Sequence, residues 1–329
     1  MHYDKGFDAT SIIGEHDRLI KEMIKARCGP NTSFINTTWI EKDNDLKALL
    51  SSNPDKIVCY SGPDWENRLC RAKANEAIGR HPNVTRFGNY NGEHYFSFWL
   101  DFVYEHWDKY DNADVLDMKN NDIKKLYMCL NRKPHEHRIL LVKNLIERGL
   151  EDYGYLSLGK FDNPWDYKGL SVPITLDKDV TNEEGDHAVA GDAGGITNDI
   201  TSLGLRSNWN SHFLNIVSET TIHTDVFLSE KIFKPIIGMR PFIVLGDNNV
   251  YNILHSWGID TFDDLFGEGY KHQYHTERIK WICNVIQNYK KRKDLKELLI
   301  ELTPRLEHNK KMLLRAAKKN RKFLEEVKF

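Results

Sequence analysis

The sequence predicts an α/β protein with two Rossmann-like lobes facing a central cleft and a long C-terminal helix. Three observations carry this. The chain has 329 residues, more than the roughly 250–300 at which a single hydrophobic core stops growing. Strand-length apolar runs alternate with segments of helical period through both halves. Near the end, Leu295, Leu298, Leu299, Leu302, Leu306, Leu313, Leu314 and Phe323 recur near helical spacing.

The first lobe reads as a helix over 8–25, a strand over 33–39, a helix over 41–51 and a strand built on Ile57-Val58-Cys59-Tyr60. Residues 83–107 are dense in aromatics, and Gly88, Asn89, Asn91 and Gly92 break any long helix there, which predicts a strand, a loop and a short helix. The acidic, Asn-rich stretch 108–122 sets the expected lobe boundary near Asn120, so the lobes are 1–120 and 121–290, with a helical tail over 291–329 packing on the body.

The second lobe opens with a strand over 125–130, a polar turn over 131–134 and a helix over 135–148. In that helix Ile139, Leu140, Val142, Leu145 and Ile146 form an apolar stripe that stops at Gly149, which together make half of a βαβ unit. Residues 158–203 are polar and carry Gly185, Gly191, Gly194 and Gly195, an irregular excursion with short strands. A strand over 213–218, a helix over 229–237, a strand over 241–245, a helix over 249–257 and long helices over 276–289 and 295–326 complete the reading. Pro304 should kink or interrupt the last of them.

Bulk composition narrows the function. Apolar residues are 40% and charged residues 29% of the chain, ample for burial and far from a disordered composition. Five cysteines without CxxC or zinc-type spacing indicate neither a disulfide framework nor a metal knuckle, and a reducing compartment fits best. The charged N-terminal stretch has no apolar leader core, and no apolar run approaches the roughly 18 residues of a membrane span, so a cytoplasmic protein without an integral membrane segment is expected. Walker, GxGxxG, HExxH and Gly-x-Ser-x-Gly patterns are absent, which leaves kinase, dinucleotide, zincin and serine-hydrolase readings without support.

The most informative stretch runs from Phe227 to Gly246, FLSEKIFKPIIGMRPFIVLG. Ser229 can cap the helix that follows, leaving first-turn N–H groups to attract an anion. Lys231 and Lys234 can add full charge on a diphosphate, and Glu230 can accept from sugar or ribose hydroxyls. Pro235 removes a hydrogen bond inside this helix. Taken alone, the same spacing also fits an ordinary surface helix with a Ser-Glu start. A second segment, YMCLNRKPHEHR from Tyr127 to Arg138, is a strand-to-helix turn of the kind that binds ligands in open α/β folds. Asn131 can hydrogen-bond a ligand there, and Arg132 and Arg138 are forked cations suited to phosphate. His135 and His137 read as polar surface residues, and Arg138 also fits a solvated helix face paired with an acid.

Both segments resemble motifs of the alpha-fucosyltransferase family and related viral and bacterial glycosyltransferases. In these a Thr/Ser-Glu-Lys triplet opens a helix followed by an apolar strand ending in Gly, and a strand, an Asn-containing turn and an Arg open the nucleotide-binding lobe. The resemblance covers fragments of residues 125–290 and leaves the first lobe unmatched. It implies a GT-B glycosyltransferase, inverting and metal-independent, that uses a nucleotide-diphosphate sugar as donor and needs no further cofactor. Lobe 121–290 would then bind the donor through Glu230 and Lys231, and lobe 1–120 a glycan or other hydroxyl acceptor. An inverting displacement needs a carboxylate base and positive groups at the leaving diphosphate. Asp64 and Glu66, just past the strand ending at Tyr60, are the candidates for the base, with Glu93 next. Glu219, directly after the strand over 213–218, suits sugar-hydroxyl recognition, and His223 can hydrogen-bond a phosphate.

Two rivals stay open at this point. Asp177-Lys178-Asp179 imitates the Asp-x-Asp of metal-dependent GT-A enzymes, as does Asp43-Asn44-Asp45. The tail over 290–329 holds 14 Lys/Arg against 6 Asp/Glu, which would suit a nucleic acid or an anionic surface. Its leucine stripe favours packing on the body with solvated lysines, and hence no nucleic-acid partner.

Overall fold

In the computed structural model, the described residues are 2–3, 12–36, 51–52, 54–61, 81–88, 94–111, 121–131, 135–158, 166–167, 170–171, 174–175, 203, 206–222 and 226–328. They form two compact units. Unit 1 comprises Met1–Tyr104 with Ala317–Phe329, and unit 2 comprises Glu105–Ala316.

Unit 1 is a parallel five-stranded sheet in chain order: β1 (His2–Tyr3), β2 (Thr32–Asn36), β3 (Lys56–Ser61), β4 (Val84–Gly88) and β5 (His94–Tyr95). Helix α1 (Ile12–Lys25) links β1 to β2, and α2 (Phe98–Glu105) follows β5. Strand residues two apart share a face, so Phe34, Tyr60 and Phe87 line up across adjacent strands, with ring centroids 6.3 Å apart at each step. The Tyr60 hydroxyl donates to Asp17 of α1 at 3.1 Å, which holds that helix over the aromatic row.

Unit 2 begins with the short α3 (Trp107–Tyr110) and builds its sheet from β6 (Lys125–Asn131), β7 (Gly154–Leu158), β10 (Ile174–Thr175), β11 (His212–Ser218) and β12 (Phe242–Leu245). β8 (Asp166–Tyr167) and β9 (Leu170–Ser171) pair separately. The sheet order is β10-β7-β6-β11-β12, parallel except for β10 at the edge. The helices are α4 (Glu136–Glu147), α5 (Arg206–Ser211), α6 (Glu230–Ile237), α7 (Asn249–Ser256), α8 (Asp263–Phe266), α9 (His275–Tyr289), α10 (Leu295–Glu301) and α11 (Thr303–Glu326). β7, β11 and β12 are buried at every position, as strands covered on both faces must be.

From β6 the chain steps outward to β7 and then returns to the other side of β6 through β11 and β12. This reversal between β6 and β11 is the topological switch of a doubly wound sheet. With right-handed crossovers it puts α4 and α6 on opposite faces.

The elements follow the sequence pattern closely. The strand expected over 125–130 is β6, the helix over 135–148 is α4, and the strand over 213–218 is β11. Pro304 falls in the first turn of α11, where a missing N–H costs nothing, and the long C-terminal helix begins anew there. Gly238, just after α6, is required by packing: a Cβ would sit 2.5 Å from the Trp209 ring. No helix among the described residues is long and apolar enough to cross a membrane.

The C-terminal helix serves both units. Leu306 and Leu313 are buried in its first part and Ala317 and Leu324 in its last, while Lys311, Lys318, Lys319 and Lys322 are exposed. In unit 1, Asn320 Oδ1 accepts from the Ser97 N–H at 2.9 Å and its Nδ2 donates to the Ser97 carbonyl at 3.0 Å. Arg321 donates through Nε and Nη2 to both oxygens of Asp101 at 2.7 and 2.9 Å. Phe323 stacks on Phe87 with centroids 5.6 Å apart.

Asp101 is fully buried, and His16 Nε2 lies 3.1 Å from its Oδ2. Breaking a buried ion pair costs about 3–5 kcal/mol, and the partial exposure of Arg321 lowers this to about 2–3 kcal/mol. Arg321→Met is therefore expected to lower the urea unfolding midpoint of unit 1, and an unchanged midpoint would deny that the last turns belong to its core.

Candidate functional site

Three strand ends meet at the carboxyl edge of unit 2. Asn131 ends β6, Ser157 is the penultimate residue of β7 and Ser218 ends β11. Three residues beyond the Asn215–Met128 pairing, Asn131 and Ser218 are neighbours on one face across the switch. Both are buried. The Asn131 amide donates through Nδ2 to Cys129 Sγ at 3.3 Å and to the Ser157 carbonyl at 3.2 Å.

Polar atoms left over at this edge are unusual. Asn131 Oδ1, Ser218 Oγ and Glu230 Oε2 are buried and have no hydrogen-bond partner among the described residues, whereas Ser157 Oγ, which also lacks one, pairs in register with Leu130 and so faces the other side of the sheet. Each orphaned group costs about 1–3 kcal/mol, and such groups in one place mark a site that a ligand or water completes.

Helix α4 reaches this edge from one face. His137 Nε2–H donates to the Glu219 carbonyl at 2.8 Å, and Arg138 Nη2 donates to the Ser218 carbonyl at 2.9 Å. Both side chains are buried, so neither belongs to the solvated helix face that the sequence also allowed. The first turn of α4 lies over the end of β11, and His137 faces inward beside Arg138. Burial, reinforced by the Arg138 charge, pulls the His137 pKa down to about 3, so the ring is neutral and works as a hydrogen-bond donor.

Helix α6 reaches the edge from the other face. Ser229 is its N-cap, extended in backbone, and its Oγ accepts from the Lys231 N–H. Glu219 closes the arrangement. Its Oε1 accepts from the Ser229 N–H at 3.1 Å and its Oε2 from the Ser229 hydroxyl at 2.6 Å. Lys231 Nζ lies 3.3 Å from Ser229 Oγ and 3.0 Å from Glu230 Oε1. The first turn of α6 therefore already carries a carboxylate where the sequence pointed to an open anion site, and what remains for an incoming anion is the Lys231 ammonium.

The two glutamates are driven apart in acidity. Burial pushes the Glu219 pKa up against the opposing pull of Lys231 and of the Ser229 hydrogen bonds. Burial also acts upward on Glu230, but Lys231, Lys234 and the Lys231 hydrogen bond outweigh it and hold its carboxyl below the usual range. Carboxylates separated in this way mark functional sites more often than bland surfaces.

The structure brings Asn131, Arg138, Glu219, Ser229, Glu230 and Lys231 together in unit 2, with Lys234 one turn along α6. Arg132 and His223 lie outside the described residues, as do Asp64, Glu66 and Glu93. The metal-site candidates Asp43, Asp45, Asp177 and Asp179 lie outside them too. Among the described residues no group of three or more His, Cys, Asp or Glu is arranged to hold a metal ion. Sequence reasoning missed His137, Ser157 and Ser218. A polar residue at or next to the end of a largely apolar strand, as in LYMCLN, GYLSL and HFLNIVS, was the available signal.

Fold and edge together define an open α/β protein with buried polar strand ends at the switch point of its second sheet. No family model matches the chain, and no curated protein matches it either. Among solved structures, one described as "Crystal Structure of alpha1,3-Fucosyltransferase" is similar with a TM-score of 0.45 and 11% identity, over 94% of this chain and 85% of that one. At that level of likeness the site has to be argued from its own geometry.

Protonation sets a limit on this unit. His212, buried beside Arg240, is also pulled down to about 3 by burial. The folded state keeps both rings neutral while the unfolded chain takes up protons below the ordinary value of 6.5, so protons favour unfolding and stability falls as pH drops from 6.5 toward 3. The thermal midpoint is expected to decline across that window. His137→Gln should flatten the decline, and an identical slope in the variant would contradict a neutral buried ring.

Proposed function

We propose that this protein is a glycosyltransferase that binds the diphosphate of a nucleotide-sugar donor at the switch point between β6 and β11. The observation that carries the reading is the pair Asn131 Oδ1 and Ser218 Oγ, buried neighbours across β6 and β11 that lack partners among the described residues, at the carboxyl edge next to Glu219 and the start of α6. Open α/β sheets bind ligands at this place. A diphosphate there would meet the Lys231 ammonium, while Asn131, Ser218 and Glu230 offer buried groups to the hydroxyl and amide functions of a nucleoside or sugar. The resemblance of the Ser229-Glu230-Lys231 and Asn131-to-Arg138 segments to donor-binding motifs supports a sugar nucleotide over other phosphorylated ligands.

The chemistry that suits this site is a single displacement. An acceptor hydroxyl oxygen bonds to the anomeric carbon as the bond from that carbon to the diphosphate oxygen breaks. The hydroxyl proton passes to a carboxylate, and the electron pair leaves on the diphosphate, where cationic groups stabilise it. Inversion at the anomeric carbon and independence from metal belong to this proposal. So does the assignment of the base to Asp64 or Glu66 of unit 1, with a glycan or other hydroxyl compound as acceptor.

A thermal-shift panel of UDP-, GDP-, dTDP- and CMP-sugars tests the reading, since a ligand at 100 times its dissociation constant stabilises by about 2.7 kcal/mol. One nucleotide class is expected to raise the midpoint. Lys231→Ala should weaken its binding by about 10- to 100-fold, the worth of one charge-assisted hydrogen bond. No shift from any of them at millimolar concentration would overturn the proposal, and transfer activity abolished by EDTA would overturn its metal-independent form.

A further inference from the structure

Glu219 first reads as an acceptor for sugar hydroxyls, and its surroundings argue for a different task. Its backbone is immobilised on both sides. The N–H donates to the Leu245 carbonyl at 3.0 Å, continuing the ladder with β12, and the carbonyl accepts from His137 at 2.8 Å. The side chain is fully buried, so neither carboxylate oxygen faces solvent from which a sugar could arrive. Each oxygen is committed to Ser229, one to the N–H and one to the hydroxyl.

The direction of the hydrogen bonds matters as much as their number. The Ser229 hydroxyl donates to Glu219 Oε2 at 2.6 Å, so its proton points at Glu219. The oxygen lone pairs of Ser229 then face the other way, toward the Lys231 N–H and Nζ, each at 3.3 Å. Glu230 Oε1, 3.0 Å from Nζ, holds the ammonium from its other side. The ammonium is thus placed by a relay that begins on a rigid strand end, and one third of the Lys231 side chain is exposed.

We propose that Glu219 is a positioning residue: acting through Ser229, it aims the Lys231 ammonium into the switch-point site and makes no ligand contact of its own. This rests on the reading that Lys231 meets the donor diphosphate. An amide in place of the carboxylate would break the relay with almost no change in volume. Its NH2 group donates toward Ser229 Oγ, takes a lone pair that Lys231 uses, and turns the hydroxyl proton toward the ammonium. Ser229→Ala would cut the same relay at its middle, and Ser229→Thr would keep it.

Two measurements test the assignment. The first is the pH-dependent rate at which acetic anhydride modifies Lys231, followed by peptide mass spectrometry in the full-length protein. An amine released from its hydrogen bond to Ser229 is more open to acylation, so Glu219→Gln and Ser229→Ala are expected to speed labelling of Lys231 several-fold at pH 8, while Ser229→Thr labels like the parent. Equal rates in all four proteins would overturn the proposal. The second is a double-mutant cycle on UDP and GDP affinity by calorimetry. Glu219→Gln should weaken binding about tenfold in the parent and less than twofold in a Lys231→Ala background. A tenfold loss in both backgrounds would mean that Glu219 serves the ligand directly, which overturns the proposal. If Glu219→Gln fails to fold, the Ser229 pair decides both measurements. If the parent binds no nucleoside diphosphate, the proposed function fails while the labelling rates still decide whether Glu219 places Lys231.

Discussion

The buried Glu219 carboxylate and its two hydrogen bonds to Ser229 are the constraint on which the second unit's carboxyl edge depends. A carboxyl group with no access to water is costly unless it is hydrogen-bonded, and every polar group of this residue is met by one of three elements. β12 takes its N–H, α4 its carbonyl and the start of α6 its side chain. α4 and α6 lie on opposite faces of the sheet, so this residue is where the two layers are brought into register. Any shift of one helix against the other would strand buried polar groups.

Buried cations solve a matching problem elsewhere in the unit. Arg240 is fully buried and donates to the carbonyls of His212 at 2.9 Å and Met239 at 3.0 Å, and to that of Trp209. Burial pulls its pKa down to about 9, which still leaves it charged at neutral pH. Arg278 donates to the Gly246 carbonyl just beyond β12, and Arg138 to that of Ser218 at the end of β11. Parallel strands leave carbonyls unsatisfied where they stop, and a guanidinium with five donors can take several at once. These arginines therefore order strand ends and keep the loops that leave them in fixed places.

Much of this was legible in the amino-acid sequence because the local signals agree with one another. The apolar run of β11, the cap at Ser229 and the Gly after β12 each point to the same strand-helix-strand unit, and the site residues sit at its junctions. The role of Glu219 was not legible, since an acid after a strand looks the same whether it faces water or a neighbouring helix. Its ten-residue reach to Ser229 exists only once the loop between them has closed. His137 was misread for a related reason: the inward face of α4 is set by the strand it overhangs, and helical period alone does not say how far that face extends into the first turn. The strand order, and with it the switch between β6 and β11, depends on pairings between distant segments that periodicity cannot rank.

The C-terminal helix has a consequence for how the molecule is made. Ser97 and Asp101 wait for Asn320 and Arg321, more than two hundred residues downstream. On the ribosome, the opening hundred residues emerge long before the segment that closes their hydrophobic layer, whereas most of unit 2 is contiguous in the chain and can be completed first. Synthesis would therefore run against the usual order, with the leading half held incomplete, its aromatic row partly bare, until the final turns are translated. A chaperone, or fast translation of the second half, would shorten that interval.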